Sequence, residues 1–422
     1  MNAIEPTTLA PSQDEMTGQS RKDVAPMDPS ADAELTQRFE MGRVLSLAVT
    51  HGLHDTYQGF LPPLLPAFIT NLSLSKAEAG LLALLLDMPS LLQPFIGHWA
   101  DRVNLRFLVI LSPAVTIVMM SLLGTASSYR LLALLLILAG ISRAAFHAVG
   151  PVVVGRLSGR RLGRGMGLWM IGGRLGPTLG PILAVTVVQI LGLRGVSWLM
   201  LPGLLASAGV YWLLKDVSLA PTQPNLQPFS MQSLMAMAPL MLLVTSIVTI
   251  QSFLTSALSI YLPTYLTEQG AELWFAGVAL SVLQGTSTIG VVVTGALSDR
   301  IGRRFALLIA FVTAPAFMLL FLRASGWIQL PFLALLGLTA MSTMPVFMAL
   351  VQERFPSNRA LANGLYLALS FVIRSVVGVL VGAMGDRVGL HWMFTAGAAI
   401  VLLGVPLIWL LPTENAQSHR GL

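Results

Sequence analysis

The sequence has no cysteine, so disulfides, thiolate metal sites and thiol redox chemistry have no part in it. Charge is scarce too: 10% of the 422 residues are Asp, Glu, Lys or Arg, against roughly a quarter in a soluble protein. Lysine is almost missing, with only Lys22, Lys76 and Lys215 among 25 basic residues. What fills the space is apolar. AVILMFWYC make up 55%, 38 glycines come on top of that, and mean hydropathy is +0.76. Such a composition excludes a disordered chain, a coiled coil and a soluble enzyme.

Basic excess, a formal +6 with pI near 10.0, could signal nucleic acid. Here the arginines stand in short loops between apolar runs and form no aromatic-interleaved face, so an anionic membrane surface is the expected electrostatic partner and nucleic acid is not.

Residues 1–42 differ from the rest: Pro6, Pro11, Pro26 and Pro29 and eight of the 19 acids read as a solvated cytoplasmic tail with no signal-peptide core. Beyond it, apolar runs of spanning length alternate with short loops, at 44–69, 78–100, 106–126, 130–155, 165–190 and 196–214. A Pro-rich polar linker covers 215–231. Six more runs follow at 232–260, 274–298, 305–323, 329–352, 361–385 and 393–411, before a short tail, 413–422. Lipid offers no water to unpaired backbone groups, so these runs are expected to be helices. The expected fold is therefore an all-α membrane protein. It has twelve transmembrane helices in two six-helix bundles, 43–214 and 232–412.

With the N-terminus inside, Lys and Arg divide seventeen to the cytoplasmic side and five to the other, with Arg143, Arg174 and Arg374 within helices. That bias places both termini in the cytoplasm of a multi-pass cell-membrane protein, the inner membrane if the cell is Gram-negative.

The halves repeat. Phe60-Leu61-Pro62 returns as Tyr261-Leu262-Pro263, and Gly167-Leu168-Trp169 as Gly364-Leu365-Tyr366. Gly97-His98-Trp99-Ala100-Asp101-Arg102 returns as Gly295-Ala296-Leu297-Ser298-Asp299-Arg300. Repeats of one orientation are a recurrent plan of secondary transporters, with the substrate at the midplane between halves.

Gly97, Asp101, Arg102 and Arg106, and again Gly295, Asp299, Arg300, Gly302, Arg303 and Arg304, form G-x-x-x-D-R runs followed by basic residues. This pattern resembles the signature loop of the major facilitator superfamily. In the first copy Asn104 stands where Gly is expected and Leu105 where a base is. The resemblance implies a gating role, with Gly permitting close helix contact and Asp at a helix start beside Arg latching one conformation; simple topology and packing are the alternative. Gly172-Gly173-Arg174-Leu175-Gly176-Pro177-Thr178-Leu179-Gly180-Pro181 is similar to a motif of proton-coupled exporters, with Pro181 where Gly is usual. Gly172, Gly176 and Gly180 make one smooth stripe for helix packing, and Pro177 should kink the helix.

Three segments, His51 to Pro66, Ser90 to Gly97 and Phe146-His147, resemble the fosmidomycin-resistance branch of that superfamily, exporters of a small phosphonate antibiotic. Ala148 departs from the Pro usual in that branch.

Charges inside a bilayer are expensive, roughly 2.5–3.5 kcal/mol at a helix centre, and mark function. Asp55 is the candidate proton carrier. His51 shares its helix face four residues away, and His54 lies on the adjacent one. Otherwise Asp55 stays ionised against an arginine across the bundle. Arg143, Arg174 and Arg374 can present forked donors to a phosphonate or carboxylate; pairing of Arg143 and Arg374 with Asp55 or Asp87 is the alternative. His147, Tyr57 and Gln58 complete the candidate substrate residues, and Phe60, Trp169 and Tyr366 either line a pocket or pack. Asp87 has no assigned role.

The expected function is proton-coupled efflux, by alternating access, of a small anionic or amphiphilic compound such as a phosphonate-type drug. Proton-coupled uptake of an organic anion is the alternative. The partners are substrate, protons and bilayer, for a transporter working as a monomer. With no G-x-x-x-x-G-K-[ST] and no H-E-x-x-H run, no cofactor, metal or enzymatic activity is expected.

Overall fold

The computed structural model describes residues 39–93, 95–96, 106–214 and 231–412. Gly97, Asp101 and Arg102 of the first signature loop, the linker up to residue 230 and the outer parts of both tails lie outside the described residues, as does the side chain of Arg106.

Among the described residues all regular structure is helical. The first span, α1, is two helices, Met41–Gln58 and Leu61–Leu72, joined at Gly59-Phe60. The second, α2, opens as Lys76–Asp87 and tightens into a 3-10 turn, Met88–Leu92. Ten more helical spans are each long and apolar enough to cross a bilayer. They are α3 Phe107–Thr125, α4 Tyr129–Leu157, α5 Gly159–Leu191, α6 Leu193–Trp212, α7 Leu234–Glu268, α8 Leu273–Ile301, α9 Arg303–Arg323, α10 Gly326–Arg354, α11 Leu361–Val388 and α12 Leu390–Trp409. The twelve form two six-helix bundles. Trp198, Trp327, Trp392, Trp212 and Trp409 stand exposed near span ends, where an amphipathic ring suits a membrane interface.

The repeated aromatic-Leu-Pro run leaves a matching mark in both halves. Proline lacks the N–H that would bond four residues back, so α1 breaks at Gly59-Phe60 before Pro62, and α7 relaxes into a π-turn, Ala257–Tyr261, before Pro263. A third irregularity was not foreseen. The run expected as one helix over 329–352 is two, Gln329–Thr339 and Met344–Arg354. Gln251 of α7 fills the gap, its Nε2 donating to the Ala340 carbonyl and to Thr343 Oγ1, each at 2.8 Å. Broken backbone within a membrane persists where protein or a cavity satisfies it.

The halves meet at the end of the spans away from the N-terminus. Ser75 and Glu78 form a reciprocal capping box at the start of α2. From the other half, Asp386 accepts the N–H groups of Lys76 and Ala77 at 2.8 and 3.0 Å, and Lys76 Nζ lies 2.9 Å from Glu268. Beside α2 and α11, α5 touches α8 through Ile182 N–H donating to Ser281 Oγ at 3.2 Å and the Trp274 indole donating to Thr186 Oγ1 at 3.3 Å.

Asp386 is thus a carboxylate on a helix N-terminus, a contact worth about 1–2 kcal/mol. Asp386→Ala is expected to move the population toward the conformer open at this end by roughly 5- to 30-fold. Spin–spin distances between labels at the α1–α2 and α11–α12 turns would show it, and an unchanged distribution would count against the latch.

The second signature loop also takes a shape of its own. Gly302 and Gly389, each ending an Asp-Arg-x-Gly run, have φ of +90° and +85°, a region L side chains avoid. Two expectations are corrected here. Asp299 sits at the C-terminal end of α8, not at a helix start. Gly295 is not a packing glycine, because a Cβ there would meet nothing within 4 Å. Arg303 binds Asp299 at 2.5 Å and Glu353 at 2.7 Å, Arg304 donates to the Leu411 carbonyl, and Arg300 is exposed. Asp299 and Arg303 therefore staple α8 and α9 to α10 within one half.

Candidate transport site

The glycine stripe of α5 lies against α1. A Cβ on Gly172 would strike the Ala48 carbonyl, one on Gly176 the backbone of Asp55 and Thr56, and one on Gly180 the Thr56 carbonyl. Backbone cannot step aside, so the two helices run in close contact, and α5 continues through Pro177 and Pro181 as a single helix, Leu162–Leu191. This contact sets Asp55. Gly176→Ala is expected to lower thermal stability by about 1–3 kcal/mol through overpacking, readable as a drop in Tm of the purified protein, whereas exposed Gly167, with open space at its Cβ, should tolerate alanine.

Opposite the stripe, α1 and α4 converge on Asp55. His51 Nε2 is 3.2 Å from Asp55 Oδ2 and His147 Nε2 is 3.6 Å from Oδ1. The other ring nitrogens face backbone: His51 Nδ1 lies 2.9 Å from the Trp169 carbonyl and His147 Nδ1 3.2 Å from the Arg143 carbonyl. A carbonyl can only accept, so both Nδ1 atoms donate, and each neutral imidazole would then aim its Nε2 lone pair at a carboxylate. Lone pair against lone pair repels. The arrangement is satisfied when a cation sits between, and a proton on Nε2 or on Asp55 is the smallest one that fits. His51, Asp55 and His147 each also offer a potential metal-ligand atom, all within 4.8 Å of one another.

Rings roof the cluster. Trp169 stacks on His51 at 3.9 Å, and Phe146 lies 5.7 Å from His51 and 4.4 Å from His54. His54, expected to share in coupling, is fully buried against Phe146 and makes no ion pair with Asp55. Its position, one residue before Asp55, turns it about 100° away around the helix. The alternative of an arginine on Asp55 is also set aside, because its partners are the two histidines.

One turn along α4 from His147, Arg143 is paired with Asp87 of α2, which gives Asp87 its place. Both line a cavity of about 380 Å³ between the halves, together with Arg174 of α5 and Arg374 of α11. Arg174 lies two residues from Gly172 and from Gly176, so it turns into the cavity while the stripe faces α1. Arg374 lies with its guanidinium 5.0 Å over the Phe371 ring. Among the described residues, neither Arg174 nor Arg374 has a carboxylate at ion-pair distance. Three guanidiniums against one carboxylate leave the cavity electropositive and rich in forked donors.

Beside the expected Arg374 and Tyr366, the second half adds wall residues that were missed in sequence: Gln251, Thr255, Ser259 and Ser370. Gln251, Thr255 and Ser259 on α7, and Tyr366, Ser370 and Arg374 on α11, all line the cavity. Each set is spaced by four residues, the interval that keeps side chains on one helix face. Tyr57 and Gln58 do not line it: Tyr57 is buried and donates to the Leu199 carbonyl at 2.6 Å, and Gln58 reaches toward the Ala139 carbonyl at 3.5 Å. His147 belongs to the Asp55 cluster, Phe60 and Trp169 are buried in packing, and only Tyr366 of the candidate aromatics lines the cavity.

Two pseudo-symmetric six-helix bundles around a central polar cavity describe a transporter family, and the sequence profile of the Major Facilitator Superfamily matches residues 47–377 and 276–421. The chain belongs to the major facilitator superfamily. It is a membrane-embedded secondary transporter and not an enzyme. Among superfamily members it is 24% identical over 395 residues to the fosmidomycin resistance protein of Escherichia coli (strain K12), which covers 91% of this chain and 96% of that one. To an uncharacterised transporter, YfnC of Bacillus subtilis (strain 168), it is 25% identical over 391 residues, 88% of this chain and 93% of the other.

Solved superfamily structures share its fold. A bacterial homolog of the human lysosomal transporter Spinster, inward-facing and occupied, superposes with a TM-score of 0.74 at 15% identity, covering 88% of this chain and 97% of that one. A D-xylose-proton symporter does so with a TM-score of 0.70 at 14% identity, covering 88% and 98%.

Proposed function

We propose that the protein exports a small organic anion, of phosphonate or carboxylate type, in exchange for protons. The observation that carries this is the pairing of a cavity holding Arg143, Arg174 and Arg374 with a His51-Asp55-His147 cluster one helical turn away. The anion binds the forked donors, and the proton binds the cluster, whose two Nε2 atoms and carboxylate call for a cation. His147 and Arg143 adjoin on one helix face, so the charge of each site is felt at the other. One relative is a fosmidomycin resistance protein, which supports export. The bias of the loop arginines supports a cytoplasmic position for both termini, and on that reading the side at which the halves meet faces outward.

Co-transport of anion and proton is the second reading, and one observation favours it. A proton on His147 adds positive charge beside the arginine cavity, which strengthens anion binding and so favours joint occupancy. Proteoliposomes containing a pH dye decide between them. Methylphosphonate added outside should make the lumen more alkaline under exchange and more acidic under co-transport, with a chelator present in both. No substrate-linked proton movement with phosphonates or small carboxylates would refute proton coupling in either form.

A further inference from the structure

A second cavity, of about 340 Å³, lies between α2 and α11 and adjoins the first, for Asp87, Phe371 and Ser375 line both. Its chemistry is the reverse of its neighbour's. Leu84, Met88 and Leu91 form one wall and Leu367, Val372 and Val376 the other, and four of these, Met88, Leu91, Val372 and Val376, are exposed large apolar side chains. Phe371 stands at the junction, lining both spaces and lying under the Arg374 guanidinium. Charge recognition and apolar surface are therefore held in fixed register by two neighbouring residues of one helix.

A compact anion has no use for the apolar slot, whereas an alkyl chain moving from water into it gains burial energy. Each cavity alone is at the low end of the roughly 300–1,000 Å³ of ligand sites, so both can serve one molecule. We propose that the transported anion is a single-chain amphiphile. Its acidic head lies on Arg143, Arg174 and Arg374, and its alkyl or aryl chain lies in the slot between α2 and α11. This rests on the anion site proposed above and adds the chain to it.

The test is a series of n-alkylphosphonates, from ethyl to octyl, bound to the purified transporter in nanodiscs. Burial of a methylene is worth about fourfold in affinity, so affinity should climb by about that factor per carbon and level off once the slot is full. Ala368→Phe, which places a ring in the slot, should flatten the climb and leave ethylphosphonate binding unchanged. Leu91→Phe repeats the test from the opposite wall should the first variant not fold. Partition of longer chains into the bilayer would give a climb that persists in both variants and in Arg374→Gln; that result overturns the proposal, as does a flat series in the unaltered protein. Ethylphosphonate binding that depends on Arg374, with no climb, removes the chain and keeps the anion. No Arg374-dependent binding by any member removes the anion site itself.

Discussion

Asp55→Asn is expected to reduce proton-driven transport to the level of protein-free liposomes while substrate exchange across the membrane continues. The amide is nearly the same size, so the close α1–α5 contact at Gly176 survives, yet it carries no charge and takes up no proton at working pH. The His51 and His147 Nε2 atoms, 3.2 and 3.6 Å from the carboxylate, would face an amide that can donate to only one of them in a given rotamer. Exchange needs alternating access and substrate alone; accumulation needs the proton. The measurement is counterflow against pH-driven uptake or release in the same vesicles. Surviving drive in Asp55→Asn would sink the cluster as coupling site, and loss of both activities would mean only a packing role, which Asp55→Glu with restored drive would argue against.

How far this site could be read in sequence depended on charge. A bare ionisable group in lipid is costly enough that Asp55, Arg143, Arg174 and Arg374 stood out singly, and three of these four line one cavity while the fourth anchors the histidine cluster. Which histidine joins Asp55 followed in part from spacing: four residues for His51, one for His54. His147 required the approach of α4 to α1, which no local pattern encodes; the Arg143–Asp87 pair, open in sequence as one of several pairings, required that of α4 to α2.

Uncharged groups were harder. Gln251, Thr255 and Ser259 are evenly spaced, but hydroxyls in apolar helices commonly bond their own backbone, as Ser252 does to Val248 and Thr255 to Gln251, so such a stripe has a purely local explanation. The break in α10 lay inside an unbroken apolar run. Only Pro345 hinted at it, and the partner that stabilises it, Gln251, lies about ninety residues earlier. The twelve-helix plan, by contrast, followed from run length and backbone satisfaction alone.

Arg374→Gln is expected to weaken phosphonate binding by about 10- to 150-fold, the equivalent of the roughly 1.5–3 kcal/mol of a hydrogen bond to a charged group. The choice of arginine matters. Arg143 is already paired with Asp87, so removing it takes away a donor and also strands a carboxylate in the cavity, where it repels the anion. Its loss of affinity mixes two effects, and Asp87→Asn combined with Arg143→Gln is needed to separate them. Arg374 has no such partner among the described residues and rests on Phe371, with its own carbonyl accepting from Ser256 Oγ at 3.1 Å. Its substitution therefore reports the contact with the ligand. Arg374→Lys keeps the charge and loses the fork, so it should recover only part of the affinity, and less for a doubly charged phosphonate that uses both donors than for a carboxylate held by one. Isothermal titration with methylphosphonate and acetate on the three proteins gives the comparison. Affinity within twofold of the unaltered protein in Arg374→Gln would remove this residue from the site, and with it the reason for the stripe of Tyr366, Ser370 and Arg374 to face the cavity.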